Sequence, residues 1–335
     1  MAQNSNFGDR KPGILQLSIG GGLTFNVEQF PGTSETGGIP YRTLGRTGEK
    51  VSLIGIGGYH LGNMEDEQVA IRIVQKALDN GINFFDNSWD YHEGRSHDRV
   101  GKALQGGYRE KAFLMSKTDS HSRKGILMQI DDTLHRLRTD HVDLLQFHEV
   151  IRMGDPEEIF SEGGAIEGML KAQEAGKVRY IGFTGHKSPE IHVHMLDVAA
   201  RNGFRFDTVQ MPVNILDNHY DSFTRKVLPR LVEENIGALG MKPISAGVAL
   251  NTDVLTAPEC LRFAMSMPVS VVITGCENDR DIEQALKVAR EFKPLTEQER
   301  DALLNKTSKL DDGKYEEYKS TNEHDSTMHY SQWLM

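Results

Sequence analysis

From about residue 51 onward, short apolar runs alternate with longer stretches in which apolar residues recur every three or four positions. That is the pattern of strands followed by amphipathic helices. Residues 51–58 form the first apolar run, and residues 66–80 then place Val69, Ile73, Val74, Ala77 and Leu78 on one helical face. Asn80-Gly81 stops that helix, and Ile82 to Phe85 opens a second strand. The same reading gives strands at 112–116, 142–147, 178–183, 208–211, 236–241 and 269–274. Helices are predicted at 98–104, 125–137, 165–175, 189–200, 222–234, 258–267 and 280–292. Eight strands separated by helices predict an α/β fold, a parallel (β/α)8 TIM barrel rather than an open doubly wound sheet. Residues 41–300 carry this pattern. Residues 1–40, with Gly20-Gly21-Gly22 and Gly37-Gly38, read as an N-terminal arm or hairpin. Residues 301–335 read as a C-terminal arm folding back over the barrel mouth, with Tyr315, Tyr318, Tyr330 and Trp333 interleaved among charges.

Composition narrows the partners. The net charge of −10 comes without clustered Lys and Arg, which argues against nucleic acid. No run of apolar residues approaches a membrane span, and no secretory signal is evident, so the cytoplasm is expected. Cys260 and Cys276 are the only cysteines and lack metal-ligand spacing, so neither a disulfide framework nor a metal site is expected. His192 and His194, two apart on a predicted helix, do not face together and read as structural or surface residues.

The candidate chemistry sits at the carboxyl ends of consecutive strands, where a barrel of this class builds its site. Asp86 ends the second strand, Lys117 the third and His148 the fourth, and Tyr91 lies in the loop after the second. Each alone has a structural explanation. Together they suit carbonyl reduction, in which hydride attack builds negative charge on oxygen and a donor must protonate it. A phenol is a weak acid at neutral pH unless a cation stands beside it. Lys117 is positioned to be that cation, Asp86 to keep it charged, His148 to orient the carbonyl, and Tyr91 to give the proton.

With Leu53-Ile54-Gly55-Ile56-Gly57-Gly58 as a glycine-rich first strand and this ordered Asp, Tyr, Lys, His set, residues 41–292 resemble the aldo-keto reductases. The resemblance implies a nicotinamide cofactor, NADPH by family habit with NADH as the alternative, and no metal. It assigns cofactor contacts to Gly58, Thr184, Gly185, His186, Gln210, Met241, Lys242, Gly275, Cys276, Glu277 and Arg280. Among these Gln210 matches the residue that binds the carboxamide, and Met241 stands where an aromatic ring often covers the nicotinamide. Thr184-Gly185-His186 replaces a commoner Ser-Asn pair, a variant shared with one branch of the family. Arg280, at a predicted helix start, suits a 2′-phosphate, whereas Glu277 and Asp279 would repel one. Tyr59 and His60, after the first strand, and Trp89 are expected to line the substrate pocket, and Cys276, beside the phosphates, is a candidate reactive thiol. The activity expected is NAD(P)H-dependent, reversible reduction of an aldehyde or ketone. The alternative is a cofactor-binding regulatory or partner subunit with weak turnover. Neither the substrate nor the oligomeric state follows from the sequence.

Overall fold

Side-chain parity along eight strands sets the architecture. In the computed structural model, which describes residues 16–19, 23–26, 35–322 and 325, strands β1 (Ile54–Gly57), β2 (Phe84–Asp86), β3 (Phe113–Thr118), β4 (Val142–Phe147), β5 (Val178–Thr184), β6 (Thr208–Pro212), β7 (Gly237–Met241) and β8 (Val271–Thr274) form a closed barrel. Every pair in it is parallel, from Gly55 beside Phe84 in β1–β2 round to Val272 beside Ile54 in β8–β1. Residues of one parity point inward: Phe84, Phe113, Met115, Leu144, Leu239, Val271 and Ile273 fill the barrel, where Phe84 stacks on Phe113 at 5.4 Å. Residues of the other parity, such as Phe85, Leu114, Leu145, Val209 and Val272, pack outward under the helices. A side chain at Gly55 would bring its Cβ within 2.9 Å of the Phe84 ring, so this glycine is what admits the phenylalanine.

Thirteen helices are assigned among the described residues: α1 (Gly58–Asn63), α2 (Glu67–Asp79), α3 (Arg95–Ala103), α4 (Arg123–Leu137), α5 (Asp155–Phe160), α6 (Ala165–Glu174), α7 (Pro189–Arg201), α8 (Phe223–Lys226), α9 (Leu228–Glu233), α10 (Ala257–Ser266), α11 (Asp279–Arg290), α12 (Glu297–Lys306) and α13 (Glu317–Ser320). Their starts follow capping chemistry. Ser188 accepts from Glu190 N with Pro189 in the first turn of α7, and Thr256 and Thr296 open α10 and α12 with reciprocal capping boxes. The amino end of the barrel is sealed by an antiparallel pair, Ile39–Thr43 with Lys50–Ser52, from which Leu44 and Val51 enter the interior cluster.

Three expectations change. The run 51–58 is not one strand: Lys50–Ser52 belongs to the seal, Ile54–Gly57 to the barrel, and Gly58 begins α1, so Tyr59 and His60 stand on a helical turn. The helix expected over 222–234 breaks at Val227, because Pro229 lacks the N–H an uninterrupted helix needs there. Helices α1, α5 and α12 carry too short or too polar a pattern to announce themselves. In the N-terminal segment Gln16–Ile19 pairs antiparallel with Leu23–Asn26, while Gly20, Gly21 and Gly22 lie outside the described residues, as do Tyr330 and Trp333. No described helix is long and apolar enough to cross a membrane.

Candidate active site

The parity that fills the barrel also selects the side chains at its mouth. With Phe84 inward and Phe85 outward, Asp86 falls inward; Lys117 follows Phe113 and Met115, and His148 follows Leu144 and Gln146 on the inward register. Gln210 lies between outward Val209 and Met211, and Met241 follows inward Leu239. Strand order brings β2, β3 and β4 side by side, so Asp86, Lys117 and His148 converge.

Lys117 and Asp86 are both buried and form an ion pair through Asp86 Oδ1. The ammonium also donates to the Asn87 carbonyl at 2.9 Å and to the Tyr91 hydroxyl at 3.1 Å. Gln210 Nε2 donates to the other Asp86 oxygen at 2.7 Å. Both carboxylate oxygens are thus satisfied, as a buried acid requires. On acidity the sequence expectation is corrected. Lys117 stands beside Tyr91, yet the phenol is pushed well above its ordinary value, first by burial and then by Asp86, Asp90, Glu149 and Asp119. Tyr91 therefore carries its proton throughout the physiological range.

His148, 7% exposed, turns Nδ1 to Asp119 Oδ1 at 2.7 Å, to Asp90 Oδ1 at 3.4 Å and to Ser88 Oγ at 3.2 Å. Burial opposes its charged form, but Asp90 and Asp119 outweigh burial and raise the imidazole to about 9. Ser88, Asp90 and Asp119 escaped the sequence reading. Strand-end logic could have found Asp119, two residues beyond Lys117, while Ser88 and Asp90 lie in the same loop as Tyr91.

Apart from Gly58, which follows β1, the positions assigned to a cofactor collect on the β5 to β8 side. Thr184 Oγ1 lies 4.0 Å from Met241 Sδ. A Cβ on Gly185 would fall 2.4 Å from the Val150 carbonyl oxygen, so the close approach of the β4 loop demands glycine there. His186 is buried, 3.4 Å from Asp325 and edge-on to Tyr318, and burial lowers its basicity. Lys242 Nζ lies 5.3 Å from the Tyr318 ring centre, and burial lowers its basicity too. Gly58 lets the Asp86 carbonyl approach, since its Cβ would sit 2.7 Å from that oxygen. At β8, Gly275 lies under the His60 ring, and His60 Nδ1 pairs with Glu277 at 2.6 Å. Lys76 is 3.5 Å from Asp279. Arg280 is exposed and makes no ion pair among the described residues. Asn278 caps α11, accepting from the N–H groups of Arg280 and Asp281.

A nicotinamide dinucleotide fits these residues on observations of their own. Gln210 Oε1 and Ser245 Oγ are buried without hydrogen-bond partners. Lys242, Ser245, Ala246 and Gly247 all take positive φ (51°, 47°, 55° and 91°) in a tight turn after β7, in which Ser245 N–H donates to the Lys242 carbonyl and Gly247 N–H to the Ile244 carbonyl, each at 2.9 Å. One expectation is not met. Cys276 is fully buried and its thiol is pushed up to about 12 by burial, so it is not a reactive thiolate. Trp89 donates its indole N–H to Asp132 of α4 at 2.9 Å, which ties the ring to that helix. Tyr59 stands at the mouth, 53% exposed, with its ring 5.5 Å from that of Tyr91.

Comparison with known proteins agrees with this geometry. A profile described as the Aldo/keto reductase family matches residues 53–260. The chain is similar to the L-galactose dehydrogenase of Arabidopsis thaliana, 32% identical over 232 residues, covering 63% of this chain and 67% of that protein. It is also similar to the uncharacterized oxidoreductase YrpG of Bacillus subtilis (strain 168), 29% identical over 230 residues, covering 63% and 68%. Among solved structures, an aldo-keto reductase from Bacillus halodurans in its holo form superposes with a TM-score of 0.67 at 23% identity, covering 80% of this chain and 96% of that one, a likeness of fold. The chain belongs to the aldo/keto reductase family and is a nicotinamide-dependent oxidoreductase acting on carbonyl groups.

Proposed function

We propose that this protein reduces an aldehyde or ketone reversibly with NADPH, and that Tyr91 gives the proton to the carbonyl oxygen. The observation that carries the reading is Lys117 Nζ, 3.1 Å from the Tyr91 hydroxyl while paired with Asp86. The bound cofactor supplies hydride to the carbonyl carbon. Tyr91, protonated at working pH, releases its proton as charge builds on oxygen, and the phenolate left behind meets a fixed ammonium rather than bulk water. Asp86 keeps that ammonium charged in a site that otherwise disfavours it.

The choice of NADPH rests on Arg280. The two acids that would repel a 2′-phosphate are already partnered, Glu277 by His60 and Asp279 by Lys76, whereas the Arg280 guanidinium is left to meet it. A charge-assisted contact there contributes about 1.5–3 kcal/mol. Arg280→Ala should therefore raise the KM for NADPH on the order of tenfold to a hundredfold and leave that for NADH nearly unchanged. Equal effects on both cofactors would refute the assignment.

The test of the whole reading is NADPH oxidation against a panel of aldehydes and ketones, comparing wild type with Tyr91→Phe. Turnover should fall by roughly a hundredfold or more in the variant, with NADPH affinity retained. NADPH binding without oxidation by any carbonyl would instead favour a cofactor-binding partner subunit.

A further inference from the structure

The site gives its proton donor an adverse field, and the group opposite it a favourable one. Four carboxylates make the Tyr91 phenol a weaker acid, and three of them, Asp90, Asp119 and Glu149, also act on His148. The groups that face this ring are Asp90 and Tyr91 from the loop after β2, Asp119 from the loop after β3, and Glu149 from its own segment. Gln129 of α4 holds the Asp119 loop in place, its Oε1 accepting from Asp119 N at 2.9 Å and Ser120 N at 3.0 Å. Ser88 gives its hydroxyl hydrogen to Asp90 at 2.6 Å, so it meets His148 as an acceptor.

Every partner of His148 Nδ1 is therefore an acceptor, and Nδ1 must carry hydrogen. If the ring were neutral, that hydrogen would leave Nε2 as a bare lone pair, which repels a carbonyl oxygen. Only a ring protonated on both nitrogens can bond Asp119 and still donate to the substrate. We propose that Asp119, backed by Asp90, is a positioning residue that fixes His148 as an imidazolium, and that this cation donates Nε2–H to the carbonyl oxygen beside Tyr91. The inference rests on the carbonyl-reductase reading. It supplies what that reading lacks: a positive charge at the developing alkoxide, which offsets the weak acidity of the phenol. Asp119 touches neither substrate nor cofactor in this account and acts only through His148.

The electrostatics agree in direction. Asp90 and Asp119 hold His148 up against burial, while burial and Asp90 push the Asp119 carboxyl up against the pull of His148.

The test joins two readouts on wild type, Asp119→Asn and Asp119→Glu. Nitrogen-15 NMR of the His148 ring, without substrate, should show both nitrogens protonated at about neutral pH in wild type and one deprotonated in Asp119→Asn. For the reduction, kcat in wild type should fall as pH rises through about 9. In Asp119→Asn that limb should move down by about one unit or more, kcat at mildly basic pH should drop roughly tenfold or more, and NADPH affinity should hold. Asp119→Glu should restore part of both. An unprotonated Nε2 in wild type near neutral pH, or a pH limb unmoved in Asp119→Asn, overturns the proposal. The NMR result needs no turnover, so it judges the ring even if Asp119→Asn folds poorly. If the carbonyl panel shows no reduction, the functional reading fails by itself.

Discussion

At the residue scale, burial disfavours the charged form of every buried imidazole, but at His148 the carboxylates beside it reverse the outcome, and this makes stability depend on pH in a readable way. His192 lies between the rings of Phe183 and Phe223 with Nε2 toward the Gln210 carbonyl, and burial pushes it down to about 4. His97, bonded to Ser116 at 2.8 Å, is pushed down to about 3, also by burial. Both stay neutral in the folded chain while the unfolded chain takes up protons near 6.5. Their contribution is fully present above that value and is lost as pH falls from it, by about 1.4 kcal/mol per unit for each residue. His148 has the reverse sign: its folded value is raised, so its contribution is present below 6.5 and lost as pH rises through about 9. Urea unfolding at a series of pH values should show stability falling between about pH 6 and 4. The fall should be shallower in His192→Gln; an equal slope in the variant would remove His192 as a cause.

Elements explain how much was legible beforehand. Strand parity was written in the sequence, because Phe84, Phe85 and Asp86 alternate about one sheet, and so were the positions of Lys117 and His148. Contacts between distant elements were not written there. Gln210 reads locally as a cofactor contact, but its amide reaches across the barrel to Asp86, 124 positions away. Likewise Gly185 looked like a missing asparagine, whereas the structure gives it a steric reason in the Val150 carbonyl. Short helices with mixed faces, such as Asp155–Phe160, had no periodicity to detect. The Gly185 reason is testable. Gly185→Ala must displace the β4 loop, whose Val150 N–H donates to the Thr184 carbonyl at 2.8 Å. A cost of about 1–3 kcal/mol and weakened cofactor binding are expected, read by thermal unfolding and cofactor titration. A variant of unchanged stability and affinity would show that the loop yields freely.

At the scale of the whole molecule, the C-terminal segment is tied into the mouth by charge, which its polar sequence did not reveal. Lys319 is buried between Asp217 at 2.9 Å and Glu316 at 2.8 Å, and it also donates to the Tyr220 carbonyl at 2.8 Å. Tyr318, beside it, accepts from Asn214 at 3.0 Å and presents its ring to His186 and Lys242. Asp325 reaches Lys187 at 3.1 Å as well as His186. One buried cation therefore holds the segment that packs on the residues assigned to the nicotinamide. Replacing it with an apolar side chain leaves two buried acids facing each other without their counter-ion. Breaking such a pair from one side costs about 3–5 kcal/mol. Lys319→Met should lower the unfolding midpoint accordingly, expose the chain near residue 316 to proteolysis, and weaken cofactor binding by loosening Tyr318 from His186 and Lys242. Because Asp86, Tyr91, Lys117 and His148 lie on β2 to β4 and the loops that follow them, away from the segment, kcat at saturating cofactor should change little. A loss of kcat with cofactor affinity intact would mean that the segment serves the substrate and not the nicotinamide.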